Sequence, residues 1–242
     1  MKRTSLVVAA LLLLTAAPAG AAPLLDREPD CSQIPPEVQP SPALESTPVL
    51  PVEVRVMYGP GDRPVVKEHM AVTRGAFERI GIKLRVSYDE IDPPAWLVDP
   101  FDGPSNTDIL DWMKSHYGGR RPKGTDLVSY MTRYWSGGFA DCIGGVAHAD
   151  RAFALGSIDY AIEGIVPSPT ADEGVIAAHE LGHLLGAHHH YSNCAEAVPS
   201  GAPRGDANPC TTMSPLATTA STTFGLLEKS YIRHYAESYA RG

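Results

Sequence analysis

The chain has 242 residues, 43% of them hydrophobic, and its 20 basic and 28 acidic residues give a net charge of −8. This length suits one domain with a sizeable apolar core. Because acidic residues exceed basic ones and no long run of either sign occurs, nucleic acids and anionic membranes are excluded as favoured partners.

The first 22 residues have the pattern of a secretory signal peptide. Lys2 and Arg3 precede an apolar run over residues 6–17, and small residues at 19–22 offer a cleavage site before Pro23. The apolar run is too short to span a membrane, and no later stretch reaches the required length. We therefore expect an exported protein, extracellular or periplasmic, without a membrane anchor.

A proline-rich segment follows the signal peptide. Six prolines occur in a short polar stretch: Pro35, Pro36, Pro40, Pro42, Pro48 and Pro51. Such a composition favours an extended, polyproline-like arm. The sequence thus predicts a signal peptide over 1–22, an arm over 23–51 and one folded domain over 52–242.

The folded domain begins with a strand, a helix and a second strand. Residues 52–56 and 82–86 alternate between apolar and charged side chains, which is typical of strands with one buried face. Between them, apolar residues recur at spacings of three and four from Val66 to Ile80, and Gly81 ends the predicted helix. This order predicts a crossover between two parallel strands.

Further elements follow in the middle of the chain. Residues 105–117 are predicted to form a second helix, and the apolar run 127–131 is predicted to form a strand that is buried on both faces. Residues 144–149 and 158–162 are two more short strand candidates. Alternating helices and strands indicate a mixed α/β fold.

Two helices are predicted in the last third of the chain. Thr170 and Glu173 have the spacing of a capping box, which places the first turn of a helix just after Pro167 and Pro169. The C-terminal helix is predicted from apolar and aromatic residues at spacings of three and four: Phe224, Leu227, Tyr231, Tyr235 and Tyr239.

The first of these two helices carries the motif H-E-x-x-H-x-x-G-x-x-H over residues 179–189. His179 and His183 are four residues apart, so they lie on one face of a helix and can bind one metal ion. Glu180 lies beside them and is placed to hold a water molecule. On a continuous helix His189 would lie roughly 9 Å from His183 along the axis, so the helix must stop, and Gly186 can end it with a positive φ.

Three neutral imidazoles leave the fourth position of a tetrahedral zinc ion open, which is typical of a catalytic rather than a structural site. The spacing alone does not choose between His189 and its neighbours, His188 and His190. The alternative interpretation is an amphipathic core helix that carries hydrogen-bonded histidines. The glycine and the third histidine make a chance match far rarer than for H-E-x-x-H alone.

With this motif, the sequence resembles the metzincin metalloproteases, in which the three histidines are followed by a methionine-containing turn. Met213, in C-T-T-M-S-P, matches that methionine. The chain is most similar to the reprolysin (adamalysin-like) branch, although His190 stands where reprolysins usually have Asp. The resemblance implies a twisted, mixed five-stranded sheet, a long active-site helix, the Met-turn and a C-terminal helix.

The resemblance also implies how a substrate would bind. In metzincins an antiparallel edge strand lines the cleft and pairs with an extended peptide. Residues 144–149 are our candidate for that strand, with Val146, Ala147 and His148 as the contact residues. An ordinary hairpin strand is the alternative.

The four cysteines of an exported chain favour disulfides, and three pairings are possible. Cys194 and Cys210 bracket the segment between the third histidine and the Met-turn, so we expect them to pair, which leaves Cys31 with Cys142. The alternative is that the Cys31 thiolate caps the zinc in a latent precursor, as in some metzincin relatives.

Together these features predict a zinc endopeptidase, monomeric and acting on protein or peptide substrates. Zinc would be held by His179, His183 and His189, Glu180 would be the general base, and Met213 would support the site. Calcium sites are not identifiable from the sequence. The alternatives are an exported zinc-binding protein without activity and a protease dedicated to one substrate, such as a cell-wall peptide.

Overall fold

The structure is a computed structural model, and it describes residues 31, 49–98, 104–135, 137–158, 173–189, 211–214 and 222–240. The predicted signal peptide, most of the proline-rich arm, His190, Cys194 and Cys210 lie outside the described residues, so these assignments stay predictions. In the part of the chain that is described, no helix is long and apolar enough to cross a membrane.

Five strands form one mixed sheet in the order β2-β1-β3-β5-β4. The strands are β1 (Leu50–Tyr58), β2 (Ile82–Glu90), β3 (Leu127–Thr132), β4 (Gly138–Ala140) and β5 (Phe153–Ser157). Neighbouring strands from β2 to β5 are parallel, whereas β4 is antiparallel to β5. The predicted mixed five-stranded sheet is therefore confirmed, as are the first three predicted strands.

The strand predicted over residues 144–149 is wrong. Residues 145–147 form a 3₁₀ turn instead, because Gly144 has φ of +78° and its N–H donates to the carbonyl of His183. The antiparallel edge strand is β4, and the sheet's other new strand is β5. Of the strand predicted over 158–162 only Ile158 is described, so that strand stays a prediction. β4 has only three residues, and one of them is Gly138. It is therefore too short to show the alternation of apolar and polar residues that predicts a strand.

Within the described residues, four helices cover the sheet: α1 (Arg63–Glu78), α2 (Asn106–His116), α3 (Glu173–Leu184) and α4 (Leu226–Tyr239). The first, third and fourth helices share one apolar core with the inward side chains of β1, whereas α2 packs on the other face. The strand β3 contributes to both cores, since Leu127 faces the first and Val128 the second. The prediction that this strand is buried on both faces is thereby confirmed.

A disulfide joins Cys31 to Cys142, two residues beyond β4. The Cys31 N–H also donates to the carbonyl of Ile143 at 3.0 Å. This pairing confirms the one predicted by elimination. It also contradicts the zinc-capping alternative, because the Cys31 sulfur is covalently engaged with Cys142.

Candidate metal centre

Three imidazole nitrogens meet at the C-terminal half of α3. The Nε2 atoms of His179 and His183 are 3.0 Å apart, and they lie 3.0 Å and 3.1 Å from Nε2 of His189. His183 is fully buried, whereas His189 is exposed. The structure thus brings together the three histidines that the motif predicted as ligands.

The other ring nitrogen of each helical histidine is fixed by a backbone carbonyl. Nδ1 of His179 lies 2.8 Å from the Thr212 oxygen, and Nδ1 of His183 lies 2.7 Å from the Ala187 oxygen. A carbonyl only accepts, so each Nδ1 carries the proton and each Nε2 presents a lone pair to the centre. This is the usual outer-shell arrangement of metal-binding histidines.

Burial keeps these imidazoles neutral. Desolvation, and next the charge of His189, lower the pKa of His179 to about 3, and desolvation with the neighbouring imidazoles lowers the pKa of His183 well below its ordinary value. Facing lone pairs at 3.0 Å repel one another unless a cation lies between them. Three such nitrogens fit one zinc ion with Zn–N bonds of about 2.1 Å.

The return of His189 to the other two histidines depends on how α3 ends. Gly186 has φ of +83°, its N–H donates to the His183 carbonyl, and the Ala187 N–H donates to the Gly182 carbonyl, at 2.8 Å and 3.0 Å. These two bonds define a Schellman motif. The predicted stop at Gly186 is confirmed.

We expect Gly186→Ala to lower the free energy of unfolding by more than the cost of a left-handed backbone conformation alone. A left-handed residue other than glycine costs about 1–2 kcal/mol, and a Cβ at this position would also collide with the Tyr235 ring, which adds about 1–3 kcal/mol of overpacking. The matched control is Gly61→Ala, since Gly61 has φ of +81° and no atom within 4 Å of an added Cβ. Urea unfolding of both variants measures the difference, and equal losses would contradict the assigned contact.

The segment Thr211–Ser214 forms a turn beneath the histidines, closed by a bond from the Ser214 N–H to the Thr211 carbonyl at 3.1 Å. Met213 is fully buried in this turn. A Cβ on Gly182 would lie 2.7 Å from the Met213 sulfur, so the methionine packs directly against α3 between the two helical ligands. The structure therefore places Met213 where the Met-turn was predicted.

A buried carboxyl group that the sequence analysis missed holds this turn. Glu228 of α4 is fully buried and accepts from the Thr211 hydroxyl at 2.8 Å and from the Gly225 N–H at 2.5 Å. Burial raises its pKa to about 7. The spacing of Gly225 and Glu228 at the start of a helix is that of a capping box, which was the available signal in the sequence.

Glu228 should make stability fall as the pH rises. Its folded-state pKa of about 7 lies above the ordinary 4.5, so its contribution is complete below pH 4.5 and is lost as the pH rises through 7. At about 1.4 kcal/mol per pKa unit, we expect a loss of about 3 kcal/mol from this group. The lowered pKa values of His179 and His183 make the free energy of unfolding rise over the same pH range in both proteins, so the contribution of Glu228 is the difference between them. In urea unfolding of the metal-free proteins, the free energy of unfolding of the unmodified protein should fall by about 3 kcal/mol relative to that of Glu228→Gln between pH 5 and pH 8.

The exposed Glu237 on the same helix supplies the control for this measurement. Glu237→Gln should keep the full pH dependence of the free energy of unfolding. If Glu228→Gln keeps it too, Glu228 is not the titrating group.

Glu180 lies next to His179 on α3 and is 5% exposed. Its side chain points towards β4, where the backbone of Gly138 approaches it closely. A carboxylate in this position, one residue from a metal ligand and screened from bulk water, is suited to accept and donate a proton at the edge of the cleft.

The predicted substrate-contact residues do not lie on the edge strand. Val146 is fully buried, and its carbonyl already accepts a bond of 2.6 Å from the Arg121 guanidinium. Ala147 and His148 lie at the end of the same 3₁₀ turn. The strand interpretation on which these contacts were based is therefore wrong, and β4 is the strand that occupies the edge.

A mixed sheet with a three-histidine centre on a helix beneath it defines a zinc metallopeptidase fold. The family described as metallopeptidase family M12B, reprolysin-like, matches residues 66–190, which is more than half of the chain. The chain belongs to this reprolysin-like family of metallopeptidases.

The similarity to archaemetzincin supports the fold. The crystal structure of archaemetzincin from Methanopyrus kandleri is 16% identical and covers 77% of this chain and 96% of its own, with a TM-score of 0.52. A chain of a chaperone–substrate complex is 15% identical and covers 81% of this chain and 37% of its own, with a TM-score of 0.49. No curated protein sequence matches the chain.

Proposed function

We propose that this protein is a secreted zinc endopeptidase in which Glu180 is the general base. The observation that carries the proposal is the convergence of three Nε2 atoms within 3.1 Å of one another, two of them on a helix that also carries the buried carboxylate of Glu180, directly after His179. A site that only stores metal has no need of that carboxylate.

The residues of the chain have distinct roles in the proposed reaction. His179, His183 and His189 would hold zinc, which when bound supplies a Lewis acid that polarises the scissile carbonyl and activates water. Glu180 accepts the proton of the attacking water and then donates it to the leaving amine nitrogen. The carbonyls of Thr212 and Ala187 keep two of the imidazoles in the tautomer that ligation requires.

The substrate is proposed to bind as an extended strand beside β4. This strand is last in the sheet order and pairs only with β5 among the described strands, so its outer edge offers backbone groups to a peptide. The proposed partner is thus a protein or peptide. We also propose that the enzyme acts as a monomer, without nucleic acid and without a membrane anchor.

Export is supported by two features. The first 22 residues have the pattern of a signal peptide, and the bond between Cys31 and Cys142 is of a kind that persists in oxidising compartments. We propose an extracellular or periplasmic location. Fractionation of the native host, with antibody detection of the processed chain, tests it.

The activity is tested by incubating the zinc-loaded protein with a diverse peptide pool and mapping the products by mass spectrometry. We expect cuts at internal bonds, loss of all cuts after chelation, and their return when one equivalent of zinc is added. Release of terminal residues alone would contradict an endopeptidase. Stoichiometric zinc binding without any cut would instead support a metal-binding protein or a protease with a single substrate.

A further inference from the structure

The first residue of β4 lies against the side chain of Glu180. Gly138 pairs with Gly156 of β5, and α3 packs across this corner of the sheet. A Cβ added to Gly138 would lie 2.7 Å from Cγ of Glu180 and 2.7 Å from Cγ2 of Ile176, and closer still to the carboxylate oxygen Oε1. The space that a side chain would fill at this position is therefore occupied by Glu180 and Ile176.

The backbone conformation does not explain this glycine. Gly137 has φ of +93°, but Gly138 is not among the glycines of positive φ. The close approach is also local to this position, since a Cβ on its strand partner Gly156 would lie 3.9 Å from Ile176, at ordinary van der Waals distance. Contact with the carboxylate is thus the physical reason for a glycine at position 138.

We propose that Gly138 is a positioning residue for Glu180. Its missing side chain lets the edge strand approach the helix closely enough to hold the carboxylate in the place from which it acts as the base. The same strand is where we place the substrate backbone, so this contact would fix the spacing between the base and the bond to be cut. The inference rests on the proposed function.

The first test compares Gly138→Ala with Gly156→Ala in the full-length protein. We expect Gly138→Ala to lower kcat roughly 100-fold, since a displacement of about 1 Å can cost that much, while KM stays unchanged because the pairing groups of β4 are kept. The acid limb of the kcat–pH profile, which reports the base in the substrate complex, should shift. Gly156→Ala should match the unmodified enzyme, and a Gly138→Ala enzyme with the same kcat and profile would overturn the proposal.

A second pair of variants separates positioning from folding. Ile176→Ala removes one of the two side chains that an added Cβ at position 138 would meet. In that background Gly138→Ala should therefore reduce the free energy of unfolding less. It should still lower kcat relative to Ile176→Ala alone. Recovery of kcat together with stability would show that the loss was structural and would overturn the proposal.

A double-mutant cycle of stability tests the contact without any turnover. Gly138→Ala should reduce the free energy of unfolding less when residue 180 is Ala than when it is Glu, because Cγ and the carboxylate are then absent. Equal losses in the two backgrounds would overturn the inference. If the unmodified protein cuts no peptide, the proposed function fails on that result, and the cycle still decides whether Gly138 accommodates Glu180.

Discussion

Glu180→Gln is expected to abolish most turnover while zinc remains bound. Glutamine keeps the size of the side chain but does not accept a proton, and general-base catalysis typically contributes a factor of about 10²–10⁴. We therefore expect kcat to fall by at least about 100-fold, with zinc stoichiometry unchanged because the three imidazoles are kept. Steady-state kinetics and metal analysis on the same preparation measure both quantities.

The control for this substitution is Glu237→Gln, which removes an exposed carboxylate on α4. It should leave kcat unchanged. Retained turnover in the Glu180 variant, with zinc present, would remove Glu180 from its proposed role and would leave the metal site intact.

His189→Ala is expected to lose both metal and activity without unfolding. His189 is exposed and lies beyond the end of α3, so its removal leaves no cavity in the core. Loss of an outer-shell partner typically weakens metal binding about 10–100-fold, and loss of a direct ligand should exceed that. Zinc affinity is measured by competition with a chelating indicator, and folding by circular dichroism.

His188→Ala is the matched control, because the neighbouring imidazole lies near the Tyr231 ring, with centroids 6.1 Å apart, and is not part of the three-histidine group. Its zinc affinity should be close to that of the unmodified protein. If the two variants lose the same amount of zinc affinity, both His188 and His189 contribute to metal binding, an alternative that the spacing in the sequence left open.

The central residues of the site were predictable because they are close together in the sequence. Four residues separate His179 and His183, so helix geometry alone places them on one face. Gly186 was predictable for the same reason, since a third ligand six residues on requires a stop and glycine is the residue that supplies a positive φ. The helix and strand periodicities of residues 52–86 were also local, and the structure confirms them.

The failures concern contacts between segments that are distant in sequence. The edge strand was assigned to residues 144–149 from the family resemblance. The true edge strand was missed, because a three-residue strand starting at Gly138 has too few side chains to show alternation. Glu228 was missed because its partner Thr211 lies 17 residues away, and no local pattern links a carboxylate on one helix to a turn.

The sequence by itself determined the two helical histidines, the glutamate beside them and the family resemblance, since these follow from spacings within one helix and the turn that ends it. The spacing left the third histidine open, and the structure brings His189 to the other two. Only the tertiary structure decided which strand borders the site, which carbonyls fix the imidazole tautomers and why position 138 carries glycine. Those facts depend on how β4, α3, α4 and the Met-turn pack together. Packing between segments that are distant in sequence produces no periodic pattern of apolar residues along the chain.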